Sequence, residues 1–401
     1  MGGSWSDSQS SVFMGANGSS CQDGCRSWSR RSSIWGGHER FSKWCGCLRW
    51  FDASRKKSKL NSMDQQEFSL MCEDNAKASS PFKATDLVWS NLTRVFRERM
   101  KKDGIRSVES QAFNASFASY PRSDRRYQRY SATLGDPNGT YDRACELYVR
   151  RLKEFDTHGI LNKVLLSGVS RNSGMQTQVN DVWVTWDFLL SIEEVLTIIE
   201  CEPRLLTEKL TVVDLGAGWG RIGHVLMSLN PNLSYVIADI PESLIIAQTY
   251  LPQHLPDVKH VLYSQNRSVE SFTRDVLKPG EVRFCGSHDL SRFAESSIDV
   301  FINVFSFQEM TMTQVTEYVE IIDKVCKGGK LYSQQRLAGD VLTRENFPCK
   351  QDWSPLLDRL TIFSPAYYEA MFSVCHLTCS VRYPCTGSTS TMNGSSKRYH
   401  A

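Results

Sequence analysis

The chain has 401 residues, with 47 Lys and Arg against 44 Asp and Glu, a net charge of +3, 41% hydrophobic residues and 11% aromatic residues. That length exceeds one ordinary core and suits a catalytic domain with additions, while the near-balanced charge gives no whole-chain attraction to nucleic acid. No run approaches the ~18 apolar residues of a membrane span, no signal-type apolar run is visible, and an odd count of 13 scattered cysteines points to free thiols in a reducing, cytoplasmic setting.

Residues 1–80 are rich in Ser, Gly, Arg and Lys and show neither helical nor strand period, so this segment is expected to be disordered. Between Arg26 and Lys59 lie ten Lys or Arg and two acids, Glu39 and Asp52. Met1-Gly2-Gly3-Ser4-Trp5-Ser6 fits the pattern for N-myristoylation at Gly2, and the basic block would supply the second signal that stable membrane attachment needs. The segment reads either as a solvated tail or as a peripheral membrane contact, with Cys21, Cys25, Cys45 and Cys47 as sites for acylation. Those cysteines lack paired CxxC spacing, so no metal site is assigned.

Residues 81–204 read as a mostly helical cap. Leu87, Leu92, Val95, Phe96 and Met100 make one stripe; Leu147, Leu152, Phe155, Ile160, Leu161, Val164 and Leu165 make another. Four Pro and Gly residues and many arginines mark 112–140 as a loop. Ile192, Val195, Leu196 and Ile199 predict an amphipathic helix leading into the next domain.

Residues 205–392 change to strands alternating with helices. Strands are expected at Leu210–Leu215, Tyr235–Ala238, Val282–Cys285, Ile298–Val304 and Lys330–Ser333. Helices are expected after Arg221, from Glu242 to Leu251 where Pro252 closes it, and along Val315, Tyr318, Val319, Ile322 and Val325. This alternation implies an α/β domain with a parallel sheet and right-handed crossovers. Residues 393–401 read as a tail.

The chemistry gathers at Val212-Val213-Asp214-Leu215-Gly216-Ala217-Gly218-Trp219-Gly220-Arg221. A strand ends at an acid, a glycine turn follows, and the next helix supplies unpaired N–H groups. Asp239 ends the following strand, where a carboxylate can accept both ribose hydroxyls of a nucleoside. Gly218 to Gly223 also satisfies the G-x-G-x-x-G dinucleotide fingerprint. In that motif the strand runs almost directly into the first Gly, whereas here Asp214 to Ala217 intervene. An acid at the strand tip would oppose a pyrophosphate but suits the ammonium group of S-adenosylmethionine.

These residues resemble the class I S-adenosylmethionine-dependent methyltransferases, over roughly residues 205–340. Asp214 to Gly220 is similar to their first motif, Asp239 and Ile240 to the ribose-binding turn, and Asp289 in Ser287-His288-Asp289-Leu290 to the acid near adenine. Asn303 lies in the segment similar to their fourth-strand motif, and Lys327 to Leu331 matches the turn before the fifth strand. Three stretches resemble, more narrowly, the sugar O-methyltransferase family: Tyr235 to Glu242, Leu244 to Leu251, and Ile302 to Met310. The resemblance implies a Rossmann-like, mostly parallel sheet of seven strands, S-adenosylmethionine as cofactor, and a small-molecule acceptor such as a sugar, with no nucleic acid partner. The competing readings are a catalytically silent module that binds the nucleoside as a scaffold, and a methyltransferase for a non-sugar acceptor.

A sugar hydroxyl is a poor nucleophile, so a base or metal is expected to assist. Glu309 and His288 are the candidate catalytic residues; the plainer readings are a helix-start carboxylate and a loop histidine. Asn303 reads as a cofactor or acceptor contact or as a strand-end amide. Trp219 lies against the cofactor or packs on its own domain, His224 is expected to be structural, and Tyr263 and Arg267 could line an acceptor pocket.

Overall fold

The computed structural model describes residues 53–79, 93–94, 96–98, 100, 140–169, 176–336, 342, 345–361 and 367–374. The Gly2 motif, the Cys21 to Cys47 cluster, Leu87, Leu92, Val95, residues 112–139 and the 393–401 tail lie outside them.

The first described element is helix α1 (Ala53–Lys77), which corrects the expectation of disorder over residues 53–77. Much of its docking face is polar, so its sequence carries no apolar period. Asp64 and Glu67 are buried beside Met71. Glu67 Oε2 accepts from Gln248 Nε2 and from the Ser264 N–H, both at 3.1 Å, and Asp74 accepts from the Tyr263 hydroxyl at 3.0 Å and from Arg267 at 2.6 and 2.8 Å. Phe68 meets Phe96 at 5.8 Å between ring centroids.

The cap follows as α2 (Tyr141–Phe155) and α3 (Leu161–Ser167), then a hairpin of β1 (Thr177–Val179) and β2 (Val182–Val184), and α4 (Trp186–Cys201). The hydroxyls of Thr140 and Thr185 cap α2 and α4 by accepting from the N–H groups of Arg143 and Phe188. Helix α4 is not amphipathic as expected. It is buried on all sides from Trp186 to Ile199, including Asp187, Glu193 and Glu194.

The sheet region runs β3 (Thr211–Leu215), α5 (Arg221–Leu229), β4 (Ser234–Asp239), α6 (Pro241–His254), β5 (Lys259–Val261), α7 (Tyr263–Asn266), β6 (Glu281–Gly286), β7 (Val300–Val304), α8 (Met312–Val325), β8 (Lys330–Arg336), β9 (Ser354–Leu360) and β10 (Tyr367–Ser373). The spatial order is β5-β6-β4-β3-β7-β8-β10-β9. Strands β3 to β8 are parallel, and β10 runs antiparallel to both β8 and β9. The fold is therefore Rossmann-like, as expected. Among the described residues the sheet has eight strands rather than seven: the three-residue β5 adds one edge strand, too short to show a period. Helix α6 continues to His254 with Pro252 inside it; a missing N–H in the last turn removes one hydrogen bond only.

The central strands β3, β4, β6 and β7 are buried along their whole length on both faces, which gives two cores. Val212, Tyr235, Ile237, Val282, Val300 and Tyr332 pack beneath α2, α4, α5 and α6. Val213, Leu215, Val236, Ala238, Phe301 and Leu331 pack against α8. Strand alternation puts Asp214 on the first face. Order reverses between β3 and β7, and in open α/β sheets ligands bind at such a switch point, beyond the strands' carboxyl ends.

If α1 is held through its carboxylates, Glu67→Ala strips partners from Gln248 and Ser264. It is expected to lower stability by about 1–3 kcal/mol, as an unsatisfied buried pair does. Denaturant unfolding gives the magnitude, and amide exchange should show protection lost first over 64–77.

Candidate active site

The turn after β3 exists because three alternate positions hold glycine. Gly216, Gly218 and Gly220 have φ of +74°, +60° and +81°, a region that costs other residues energy. At Gly216 space is a second constraint: a Cβ there would lie 2.3 Å from Cβ and Oγ of Ser306. The Gly216 N–H donates to the Ala238 carbonyl at 2.8 Å, tying the turn to the end of β4.

Asp239 sits at that end, nearly buried. Its Oδ2 accepts from the Gly218 N–H at 2.7 Å and its Oδ1 from the Ile240 N–H at 2.7 Å. Burial pushes its pKa up to about 7, the two backbone donors pull it down, and the charges of Asp214 and Glu309 raise it. Asp239, Ile240 and Gly218 are thereby brought to one locus, with the charge of Glu309 within electrostatic reach.

Asp214 is oriented towards the helices. Its Oδ2 accepts from the Tyr235 hydroxyl at 3.0 Å, and burial raises its pKa to about 7 against the pull of Tyr235 and Arg221. Gly223 has its reason here: a Cβ would meet the Tyr235 ring at 2.8 Å. The third glycine of the dinucleotide-like pattern thus admits the ring whose hydroxyl holds Asp214. Arg221, the first residue of α5, forms a two-point pair with Glu194 of α4, one contact at 2.9 Å, and donates to Ser191 Oγ at 3.0 Å. Its guanidinium carbon lies 5.8 Å from the Phe305 ring centroid. Burial lifts Glu194 to about 7, opposed by Arg221. Neither Arg221 nor Glu194 stood out in the sequence; an acid pair inside an otherwise apolar helix was the available signal.

Asn303 is fully buried and wholly engaged by protein. Its Nδ2 donates to the Leu215 carbonyl at 3.0 Å and to Ser306 Oγ at 2.5 Å, and its Oδ1 accepts from the Phe307 N–H and from Gln335 Nε2. It bridges the tips of β3 and β7, which is the strand-end reading. Glu309 closes a short 3-10 turn, Phe307–Glu309, after β7. Phe305, before that turn, holds a φ of +62°, a strained conformation for an aromatic residue.

Beyond β6, Asp289 accepts from the Gly286 N–H at 2.8 Å and pairs with Arg292 at 2.8 Å. His288 Nε2 lies 3.3 Å from Asp289 Oδ1, while its Nδ1 is buried with no hydrogen-bond partner among the described residues. His288 therefore stands with Asp289 in the turn after β6, and Glu309 in the turn after β7. Tyr263 and Arg267 face α1 through Asp74, so their polar groups serve the N-terminal helix rather than standing open to a pocket. Trp219 meets Tyr250 edge-on at 4.8 Å. His224 is fully buried with Nδ1 3.0 Å from the Tyr250 hydroxyl, and burial pushes its pKa down to about 3. Among the described residues no cluster of His, Cys, Asp or Glu could hold a metal ion, and no helix is long and apolar enough to cross a membrane.

No family model and no curated protein matches the sequence. Among solved structures, the chain is similar to an S-adenosylmethionine-dependent methyltransferase from Aquifex aeolicus (12% identity, 56% of this chain and 98% of that one, TM-score 0.29). It is also similar to a TehB-like methyltransferase of the same cofactor class from Corynebacterium glutamicum (14% identity, 45% and 86%, TM-score 0.31). A third is the arsenic(III) S-adenosylmethionine methyltransferase from Chlamydomonas reinhardtii (17% identity, 44% and 67%, TM-score 0.30).

Asp214 and Asp239 both bind protons more tightly folded than unfolded, since their values rise from 3.8 to about 7. Their contribution to stability is full below the unfolded value and declines as pH rises through 4 to 7. Asp239→Asn should flatten the fall in unfolding free energy between pH 5 and pH 7; an unchanged slope would remove Asp239 as a source of it.

Proposed function

We propose that the chain is an S-adenosylmethionine-dependent methyltransferase acting on a hydroxyl of a sugar or other small polyhydroxylated acceptor. The observation that carries the cofactor reading is the bond from the Gly218 N–H to Asp239, which joins the glycine turn of β3 to the acid at the tip of β4 at the switch point. Each carboxylate oxygen retains a lone pair beyond its one backbone donor, so Asp239 can accept both ribose hydroxyls. The residues fit the rest of the nucleoside. His288 Nδ1 is a buried polar atom awaiting a partner beside Asp289, where a purine edge offers donors and acceptors. Asp214, with Oδ2 held by Tyr235, supplies negative charge next to the turn for an ammonium group. The sugar acceptor rests on the resemblance of the three segments around β4, α6 and β7.

When bound, the cofactor supplies an electrophilic methyl group on a sulfonium, so the protein's task is alignment and proton removal. The glycine turn and Asp239 fix the nucleoside. Glu309, half-buried after β7, is the base that accepts the hydroxyl proton of the acceptor. Cap helices α2 and α4 lie over the same face of the sheet as Asp214 and exclude water from it.

Asp239→Ala is expected to weaken S-adenosylmethionine binding by about 1–3 kcal/mol, the scale of a lost buried polar pairing; calorimetric titration measures it, and unchanged affinity would remove Asp239 from the ribose. Because the carboxylate must be ionised to accept both hydroxyls, affinity should rise as pH passes upward through about 7. Glu309→Gln should reduce transfer of tritiated methyl to an acceptor found by screening sugars far more than it reduces cofactor affinity. Cofactor binding without transfer to any hydroxylated acceptor would leave a binding scaffold.

A further inference from the structure

We propose that Gln335 is a positioning residue, which holds the turn carrying Glu309 beside the glycine turn of β3; its catalytic meaning rests on the methyltransferase reading above. Gln335 lies on β8 with no exposed surface. A strand interior could accept an apolar side chain of similar size, and burying an amide is costly unless every group is paired. Here the pairing is extensive. Gln335 Nε2 donates to Asn303 Oδ1 at 2.7 Å and approaches Ser333 Oγ at 3.1 Å and the Asn303 carbonyl at 3.3 Å, while its Oε1 accepts from the Gln308 N–H at 3.2 Å.

The amide therefore grips both ends of one turn. Asn303 passes the constraint on, through the Leu215 carbonyl, Ser306 Oγ and the Phe307 N–H. Ser306 Oγ also reaches the Leu215 carbonyl, at 3.3 Å, and the Ser306 carbonyl accepts from the Glu309 N–H at 3.0 Å. Phe305 is kept at positive φ with its N–H donated to the Gln334 carbonyl at 2.8 Å. The missing Cβ of Gly216 leaves the space that Ser306 fills. The glycine turn of β3 and the turn bearing Glu309 are thus parts of one rigid assembly, with Gln335 at its far side.

The consequence is electrostatic. Asp239 feels Glu309 from that turn, Asp214 from β3 and the backbone donors Gly218 and Ile240, and Tyr318 of α8 feels Asp239 in turn. A turn released by loss of Gln335 lets Glu309 move away, and Asp239 then ionises at lower pH.

The test follows the Asp239 side-chain carboxyl by carbon-13 NMR during pH titration of the ligand-free protein, assigned with Asp239→Asn. Removing the neighbouring charge with Glu309→Gln should lower the Asp239 midpoint by about half a pH unit. Gln335→Leu should reproduce much of that displacement and add little to it when combined with Glu309→Gln. Ser306→Ala, which removes one anchor and leaves the core volume intact, should show a smaller displacement and serves if Gln335→Leu does not fold. A Gln335→Leu protein, or failing that Ser306→Ala, that keeps the wild-type midpoint while Glu309→Gln moves it overturns the proposal. So does a Glu309→Gln midpoint that stays put. Binding of S-adenosylhomocysteine to the wild type is measured beside it: no binding fails the methyltransferase reading instead, and the midpoints still decide what Gln335 holds.

Discussion

The bond between the Gly218 N–H and the Asp239 carboxylate is the constraint on which the site depends. It requires a glycine turn at the tip of β3, because only a chain bent through three positive-φ positions aims an N–H sideways at the neighbouring strand. It requires parallel pairing of β3 with β4 in a register that sets Leu215 beside Ala238, so that the acid one residue further on reaches the turn. It also requires that a carboxylate be kept away from water, which raises its proton affinity and makes the two backbone donors necessary.

A second negative group, Asp214, lies on the same side of the sheet, and its neutralisation shapes the surroundings. Tyr235 reaches it from β4 because Gly223 leaves room for the ring. Arg221 stands next to it but is claimed by Glu194, so α4 is bolted to the start of α5 through an ion pair with little exposure. Pairs of this kind contribute little net stability, yet breaking one side leaves a charge without compensation. The cap and the sheet share that pair, and its role is to fix how they meet.

Much of this was legible in the sequence, and what was not has a common cause. The strand-helix alternation, the glycine turn and Asp239 are local patterns of apolar spacing and turn chemistry, so they can be read without knowing what packs where. Helix α1 is not legible because Glu67 and Asp74 look like solvated acids until Gln248, Tyr263 and Arg267, nearly two hundred residues away, come to meet them. Strands β9 and β10 follow the segment where the helical and strand periods fade, and β5 is too short to have one. At the site, the segment from Ile302 to Met310 shows Asn303 and Ser306 by type but not their partners, and Gln335 is hidden because an amide in a strand carries no period. The charge pair of Arg221 and Glu194 was hidden inside what reads as an apolar helix.

Helix α1 has a further meaning for how the polypeptide can be divided. A boundary drawn by motif content would fall near residue 205, and one drawn by composition near residue 80; both would sever α1 from the rest. What would remain is Gln248 and Tyr263 with vacated polar partners and the apolar surface formerly covered by Met71 opened to water. A piece of this protein cut at either boundary would therefore lose both the polar partners and the apolar cover that α1 gives to the sheet region.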